Sequence, residues 1–307
     1  MKRTYGERIF NVFNIILMLL LCVITLYPYL NQLAISLNEG VDTMRGGITI
    51  FPREFTLENY KAVFRNELVT NAAVVSVTRV ILTVILSLAA TFSAAFALTR
   101  KGLPHKKGIT LFFMIPAYVG AGVIPVYFLY RYLRLINSYW LYILPGAFTF
   151  YNMVIVRSFL QELPYSIEES AQIDGAKELC ILTRIVLPLS KPVLATIALW
   201  VAVAGWNDYT TTLMYITNRK LYTLQYVMMQ IIKESELVQQ IAVQSAMGNM
   251  NATSAQPTPD SVKSAVLMVT TLPIIMVYPF LQKYFIKGVT LGAVKNKKKI
   301  FRRKELC

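Results

Sequence analysis

The stretch Pro164-Tyr-Ser-Ile-Glu-Glu-Ser-Ala-Gln-Ile-Asp-Gly-Ala-Lys177 is a polar interruption between long apolar runs, and it continues to Leu187-Pro-Leu-Ser-Lys-Pro192. Ser166 and Glu169 have the spacing of a capping box, in which a serine hydroxyl and a glutamate carboxylate satisfy free backbone N–H groups at the start of a helix. These residues therefore predict that a short helix begins here, although by itself the pattern fits any surface helix.

A glycine marks the end of this predicted helix. Asp174-Gly175 fits a C-terminal stop, because glycine readily adopts the left-handed conformation that such a stop requires. A second helical run is predicted from Ala176 to Ile185, and Leu187-Pro188 should close it. The stretch thus predicts two short helices joined at Gly175.

The whole chain has the composition of a membrane protein. Its 307 residues are 55% hydrophobic and 15% charged, with a mean hydropathy of +0.50, far from the average soluble domain. Cys22, Cys180 and Cys307 lie in unrelated surroundings and predict neither a disulfide framework nor a zinc cluster. The single histidine, His105, argues against a histidine-based metal site or a catalytic triad. We therefore expect neither a metal site nor a metalloenzyme.

Six apolar runs are long enough to cross a bilayer core of about 30 Å. We predict an all-α membrane protein with six transmembrane helices, at residues 9–30, 72–98, 109–130, 139–160, 193–216 and 262–282. The membrane domain is thus 9–282, flanked by a short N-terminus (1–8) and a basic tail (283–307). Residues 31–68 are expected to form an ordered loop with a short helix, and 218–260 to begin amphipathically and end as an irregular loop.

Lysine and arginine are unevenly distributed between the two sides of this topology. The side with both chain ends carries 20 of them, nine between Lys283 and Lys304, against ten on the other side, and Arg79 lies within a span. These totals count Arg157 and Lys263, near the ends of their spans, with the adjacent sides. Because positive loops tend to stay in the cytoplasm, both termini and the 164–192 stretch are predicted to be cytoplasmic. This bias explains much of the net charge of +15 without nucleic acid as a partner. The tail could also approach anionic lipid or a partner protein, but topology alone accounts for it.

The polar stretch also resembles a known family. Glu169-Ser-Ala171, Asp174-Gly-Ala176 and Ile185-Val-Leu-Pro188 are similar to the EAA loop of ATP-binding-cassette (ABC) importer permeases. Three further segments look like the carbohydrate branch related to the maltose permeases, of the oligosaccharide or lipo-oligosaccharide type: Phe55-Thr-Leu-Glu-Asn-Tyr60, Trp206-Asn-Asp208 and Tyr278 to Gly292. Within the loop, Ser170 replaces the usual alanine, and Leu182 stands where an aromatic residue is usual.

The resemblance implies a type I ABC importer permease fold in the bacterial cytoplasmic membrane. The two short helices would then be coupling helices seated in a cleft of a separate ATPase, with Glu169 contacting a basic residue and Gly175 making the turn. The partners implied are a second homologous permease, two ABC ATPase subunits and an external solute-binding protein. The coupling residues carried over are Glu169, Ser170, Ala171, Asp174, Gly175, Ala176, Leu182, Ile185 and Pro188.

The chain lacks a G-x-x-x-x-G-K-[S/T] loop that could cradle nucleotide phosphates. ATP and Mg²⁺ are therefore expected to be used by a partner ATPase, and no cofactor is expected on this chain. The same absence also suits a secondary transporter or a channel.

Two sets of polar residues within predicted spans are candidates for a substrate pathway. In the fifth helix, Asp208, Thr211, Thr212 and Tyr215 follow helical spacing, beside Asn207, and should share one face. Intramembrane charges are costly, so Asp208 and Arg79 either pair or are structural ions near helix ends. In the fourth helix, Tyr142, Thr149 and Asn152 could bind sugar hydroxyls or contact a partner subunit.

The expected function is that of a permease subunit of an ATP-driven importer of a sugar, most simply an oligosaccharide. One alternative is an ABC permease for a non-sugar solute. The other is an ion-coupled secondary transporter in which Arg79 and Asp208 form the coupling pair.

Overall fold

A computed structural model describes residues 5–100, 102–245, 258–277 and 279. The regular elements in these ranges are helical, and one isolated bridge pairs Asn38 with Phe55. The predicted all-helical class is therefore confirmed for this part of the chain. The predicted basic tail 283–307 and nearly all of the predicted 278–292 motif lie outside the described residues.

The chain divides into two compact units, and the first contains residues 5–70 with the described part of 227–273. It begins with α1 (Tyr5–Ser36), α2 (Gly40–Met44) and α3 (Glu58–Arg65). The apolar side chains of α1 between Ile9 and Leu30 are exposed. A helix that is apolar all round and unburied within its own chain is suited to lipid or to a partner subunit.

A polar network orders the segment between α1 and α3. The side-chain oxygen of buried Asn38 accepts hydrogen bonds from the backbone N–H groups of Arg53 and Glu54, at 2.8 and 2.9 Å. Its amide donates to Asp42 Oδ2 at 3.0 Å, and Arg53 Nε lies 2.9 Å from the same oxygen. Asn59 of α3 donates to the backbone oxygen of Asn38 at 2.8 Å. This segment is ordered, as predicted, but it contains two short helices rather than one.

The second unit, residues 71–226 with the described part of 274–307, packs around a buried core where membrane helices meet the polar stretch. This core is formed by Ala95, Met153, Val156, Ile181 and Ile197 with their neighbours. The helices of this unit between residues 67 and 215 are α4 (Glu67–Thr99), α5 (Lys106–Tyr118), α6 (Val123–Tyr132), α7 (Phe150–Leu160), α8 (Tyr165–Ile173), α9 (Glu178–Leu189), α10 (Lys191–Asn207) and α11 (Thr210–Tyr215).

Several predicted spans are not single straight helices. The third consists of α5 and α6, which meet at 117°. The fourth consists of a 3₁₀ turn (Tyr139–Tyr142) followed by the 11-residue α7, which at about 1.5 Å per residue is too short to cross the bilayer alone. The fifth is broken between α10 and α11. Hydropathy did not predict these breaks, because it measures the apolar content of a stretch and contains no information about the direction of the backbone.

Two further helices follow α11. α12 (Leu224–Ser245) covers the stretch that was predicted to begin amphipathically, and most of the predicted irregular loop at the end of 218–260 lies outside the described residues. α13 (Pro259–Val277) covers most of the sixth predicted span. In the described ranges, α1, α4 and α13 are each long and apolar enough to cross a membrane, and counting bent pairs as spans gives up to five. The count of six stays a prediction.

Candidate functional site

The second unit contains a cavity of about 590 Å³ between α4, the chain from 139 to 152, and α10. Residues from three separate stretches of sequence, all predicted as pathway candidates, line it. They are Arg79, Tyr142, Thr149, Asn152, Asp208 and Thr211. We call this space the Arg79 cavity.

The helix that was predicted to carry Asp208 stops just before it. α10 ends at Asn207, Asp208 is extended with φ −77° and ψ 108°, and α11 begins at Thr210. The prediction that polar residues from Asp208 to Tyr215 share one face of a continuous helix is therefore wrong, because the extended residue interrupts the helical period. The break also leaves carbonyl groups at the end of α10 without their partners along the helix.

Arg79 of α4 supplies hydrogen bonds at this break. Its Nη2 donates to the carbonyl oxygen of Gly205 and, at 2.7 Å, to that of Asp208. Its Nη1 lies 3.3 Å from Asp208 Oδ2, so the two charges pair. Only 3% of the Arg79 side chain is exposed, and its guanidinium lies 4.7 Å from the centre of the Tyr142 ring. One buried group thus balances a carboxylate and satisfies the carbonyls of a broken membrane helix.

Tyr142 joins the cavity wall to the chain behind it. Its hydroxyl donates to Leu221 O at 2.8 Å and lies 2.9 Å from Thr212 Oγ1. Thr212 Oγ1 in turn lies 2.9 Å from Thr223 Oγ1, and both threonines are buried. Thr212 was predicted to face the pathway, but it is buried behind the cavity wall and supports Tyr142 there.

Two other predicted pathway residues also lie away from the cavity. Tyr215 packs against the rings of Tyr127 and Tyr130, with ring centroids 6.2 and 5.2 Å away. Asn207 is exposed and is not part of the cavity lining. The break at Asp208 explains the position of Tyr215, because α11 does not continue the helical period of α10, whereas Asn207 is the last residue of α10 itself.

Sequence reasoning missed an aromatic pair in the cavity wall. The rings of Tyr151 and Trp200 are stacked, with centroids 6.1 Å apart and an interplanar angle of 27°, and both residues line the cavity. The sequence contained a signal for Trp200, because Trp200, Ala204 and Asp208 are spaced four residues apart, as residues on one side of a helix are. No local pattern identified Tyr151, whose partner lies on another helix.

The polar stretch forms a second candidate site, the 165–189 hairpin, made of α8, the turn at Gly175 and α9. The predicted capping box is wrong, because α8 begins at Tyr165 with Pro164 at its N-cap and Ser166 is already helical. Ser170 Oγ donates to the carbonyl oxygen of Ser166 at 2.9 Å instead.

Gly175 makes the predicted turn. α8 ends at Ile173, and Gly175 has φ +83°. The N–H of Ala176 donates to Ala171 O at 2.9 Å, and that of Gly175 to Gln172 O at 3.0 Å. These two bonds are the Schellman pattern, in which a left-handed residue lets the chain reverse at a helix end.

Leu187-Pro188 was predicted to close the second helix, and this prediction is wrong. α9 contains a π-helical turn (Ile181–Val186), continues through Pro188 and bends by 78° into α10 at Ser190. A π turn has wider hydrogen-bond spacing, which accommodates a proline that lacks an N–H and would crowd an ordinary helical turn.

The hairpin has an inner and an outer side. Ala171, Ala176 and Leu182 pack on the buried core of the second unit, and Ile185 is half-buried. The exposed residues predicted for coupling are Glu169, Ser170, Asp174, Gly175 and Pro188. Sequence reasoning also missed two large apolar side chains on the outside, Ile173 and Leu179, which are 81% and 71% exposed.

Broken membrane helices with charged groups at the break, here Asp208 and the buried Arg79, are features of transport proteins. The chain belongs to the family described as "Binding-protein-dependent transport system inner membrane component", which matches residues 108–291. This result confirms the predicted class, a translocation subunit rather than an enzyme.

Relatives of similar length support this assignment. The chain is 37% identical to "Protein LplC" of Bacillus subtilis (strain 168), over 96% of this chain and 98% of that protein. It is 32% identical to the "Polygalacturonan/rhamnogalacturonan transport system permease protein YtcP" of the same organism, over 94% and 99%. It is similar to a chain in the crystal structure of a bacterial ABC transporter that imports the acidic polysaccharide alginate, with a TM-score of 0.82, 25% identity and coverage of 93% and 99%.

Proposed function

We propose that this chain is one of two homologous permease subunits of an ATP-driven importer of oligosaccharides. It crosses the bacterial cytoplasmic membrane six times, with both termini in the cytoplasm. Two ABC ATPases bind the 165–189 hairpins of the permeases, and a solute-binding protein delivers the saccharide from outside. One solved ABC transporter of the same fold, an alginate importer, is described in complex with a saccharide-bound periplasmic protein.

The observation that carries this proposal is the two-sided 165–189 hairpin. Its inner alanines pack on the core of the membrane helices, while Glu169, Ile173 and Leu179 face outward. A compact element fixed on one side and exposed on the other can pass movement of a docked partner to the membrane helices as a rigid body. In the proposed cycle, ATP and Mg²⁺ binding close the ATPases, the hairpins move, and the cavity opens toward the binding protein. Hydrolysis then returns the cavity to the cytoplasm.

The lining of the Arg79 cavity supports a saccharide as the cargo. Tyr151 and Trp200 offer flat apolar faces, and Thr149 and Asn152 offer groups that hydrogen-bond hydroxyls. Pyranose rings combine apolar C–H faces with hydroxyl edges, and pockets that bind such ligands combine aromatic surface with a few polar groups. Similar proteins are named as transporters of polygalacturonan, rhamnogalacturonan and alginate, which agrees with a saccharide as the cargo.

Uptake by the complete transporter in proteoliposomes tests the cargo class. With labelled pectic and alginate oligosaccharides as probes, Trp200→Ala should lower ATP-driven uptake about tenfold, because the ring contact is lost. Trp140→Ala is the matched control, since Trp140 is 57% exposed and lies outside the cavity lining. Equal effects of the two changes, or uptake of a non-sugar solute alone, would contradict the proposal.

The ion-coupled alternative makes a different prediction. If Arg79 and Asp208 coupled transport to an ion gradient, an ionophore would abolish uptake and ATP would be unnecessary. Arg79 forms hydrogen bonds with Gly205 and Asp208 at the break in the fifth span. A cycle that used the Arg79–Asp208 pair for ion coupling would have to break these bonds. Uptake that needs ATP and tolerates the ionophore excludes this alternative.

A further inference from the structure

Arg100, the residue directly after α4, contacts both arms of the 165–189 hairpin. Its Nη1 lies 2.5 Å from Glu168 Oε2 in the first turn of α8, and its Nε lies 3.2 Å from Glu178 Oε2 at the start of α9. The turn at Gly175 lies between these two glutamates. A single guanidinium therefore ties the end of a membrane helix to the hairpin on either side of its turn.

The surroundings of Arg100 strengthen these ion pairs. The guanidinium lies 3.8 Å from the centre of the Phe96 ring, and only 19% of the Arg100 side chain and 17% of the Glu168 side chain are exposed. An ion pair shielded in this way is screened less by solvent and salt than a surface pair. Glu178 is 61% exposed, so its contact is the weaker one.

The hairpin and α4 share a buried apolar core that includes Ala95 and Ile181, but close packing is interrupted beside Arg100, at the end of α4. A cavity of about 690 Å³ lies there, bounded by Phe96 and Arg100 on one side and by Tyr165, Glu168 and Glu178 on the other. Apolar contact cannot transmit force across an open space. The Arg100 ion pairs bridge it.

Helix α4 connects this contact to the Arg79 cavity. Its sequence between Arg79 and Arg100 contains neither glycine nor proline, and the helix is unbroken. At 1.5 Å and 100° per residue, the two arginines are roughly 32 Å apart along the helix and about 60° apart around it. A displacement imposed at Arg100 would therefore reach the Arg79–Asp208 pair through one rigid element.

We propose that Arg100 is a positioning residue that transmits movement of the 165–189 hairpin to α4. Through α4 the movement reaches the wall of the cavity. This inference rests on the proposed binding of an ATPase to the hairpin. The Arg100 ion pairs, rather than the apolar inner side of the hairpin alone, carry the movement.

The test measures how accessible the Arg79 cavity is to a labelling reagent, in the complete transporter reconstituted in nanodiscs. Cys22, Cys180 and Cys307 are replaced with serine, and Thr149→Cys in the cavity lining is labelled with a maleimide, with and without ATP. In Arg100→Gln the ratio of the two labelling rates should fall to about 1, while the ATPases still copurify and hydrolyse ATP, because the two sites are no longer coupled. Lys107→Gln is the matched control, an exposed cation at the same membrane side, and should keep the original ratio.

A charge exchange separates transmission from simple loss of structure. In a Glu178→Gln background, Arg100→Glu should abolish the ATP-dependent ratio, and adding Glu168→Arg should restore it. If Arg100→Gln does not assemble, Glu168→Gln replaces it under the same criteria, since Arg100 then keeps its contacts with Phe96 and Glu178.

An unchanged ratio in an assembled Arg100→Gln or Glu168→Gln transporter would overturn the proposal, as would failure of the charge exchange to restore it. Absence of any ATP effect in the Thr149→Cys reporter with Arg100 intact would instead show that the proposed coupling function itself is wrong, and the inference would fall with it.

Discussion

Arg79 Nη1 on α4 lies 3.3 Å from Asp208 Oδ2, at the point where the helical chain of the fifth predicted span is broken. The residues are 129 positions apart in the sequence. The same guanidinium donates to the carbonyl oxygens of Gly205 and Asp208, so the pair stabilises a helix break as well as a charge. Substitutions at Arg79 and Asp208 should therefore change the stability of the protein differently from substitutions in an ion pair that has no backbone contacts.

Asp208→Asn should destabilise the protein strongly. It leaves a guanidinium that is 3% exposed without its counter-charge, and breaking one side of a buried pair costs about 3 to 5 kcal/mol. Thermal unfolding in detergent should show the loss, and Arg79→Met with Asp208→Asn should be no more stable than Asp208→Asn alone, because methionine cannot donate to the carbonyl oxygens of Gly205 and Asp208. The charge exchange Arg79→Asp with Asp208→Arg should not recover stability, because an aspartate cannot donate to the two carbonyls. Recovery by the exchange would argue against the backbone role of Arg79.

Gly175→Val should uncouple ATP hydrolysis from transport without preventing assembly. A Cβ at this position would meet no atom within 4 Å, so the effect comes from the φ of +83° alone. A left-handed conformation costs an ordinary L-residue about 1 to 2 kcal/mol and a β-branched one more. The turn would therefore change shape. The measurement is uptake per ATP hydrolysed.

Gly175→Asn provides the matched control for that change. Asparagine tolerates the left-handed region, so its uptake per ATP should stay near that of the unmodified protein. Equal uncoupling by valine and asparagine would show that the backbone conformation is not the cause.

Glu169→Lys should weaken binding of the ATPase on the order of tenfold, because reversing a charge at an interface replaces attraction with repulsion. Glu169 is exposed on α8, beside the apolar side chain of Ile173. Copurification of the ATPase with the tagged permease measures the effect. Glu162→Lys, an exposed glutamate just before the hairpin, makes the same charge change outside it. If both variants retained the ATPase equally, Glu169 would not lie in the interface.

Acid should loosen the segment between α1 and α3 through Asp42. The amide of Asn38, which donates to Asp42 Oδ2, and the guanidinium of Arg53 hold the pKa of Asp42 below its usual value. This carboxylate therefore stabilises the folded segment fully above the pKa of an unfolded aspartate, about 3.9, and the stabilisation is lost as the pH falls through the lower folded-state pKa.

Hydrogen exchange of residues 38–59 measures this effect. Protection should fall at low pH in the unmodified protein, whereas Asp42→Asn should exchange faster at neutral pH and show less change on acidification. Glu39 also accepts a hydrogen bond there, from the N–H of Asp42 at 2.8 Å, so the comparison is between the two pH profiles. Identical profiles would show that Asp42 does not order the segment.

Local patterns were sufficient for the class of protein and for the turn of the hairpin. Long apolar runs predict membrane helices because hydrophobicity is a property of each residue, and Gly175 predicts a left-handed turn because few other residues adopt one. The spacing from Glu169 to Pro188 likewise identified the hairpin, since it lies within one continuous stretch.

The break at Asp208, the bends and the stacking of Tyr151 on Trp200 depend on contacts between distant parts of the chain. Helical periodicity predicted that the fifth span continues through Asp208, but it could not show that Arg79 would satisfy the carbonyls that a break exposes. The sequence by itself thus determined the class of protein, its helical character and where the hairpin turns. Only the tertiary structure decided which helices break and which side chains meet, because the free energy that stabilises a break comes from residues far away in sequence.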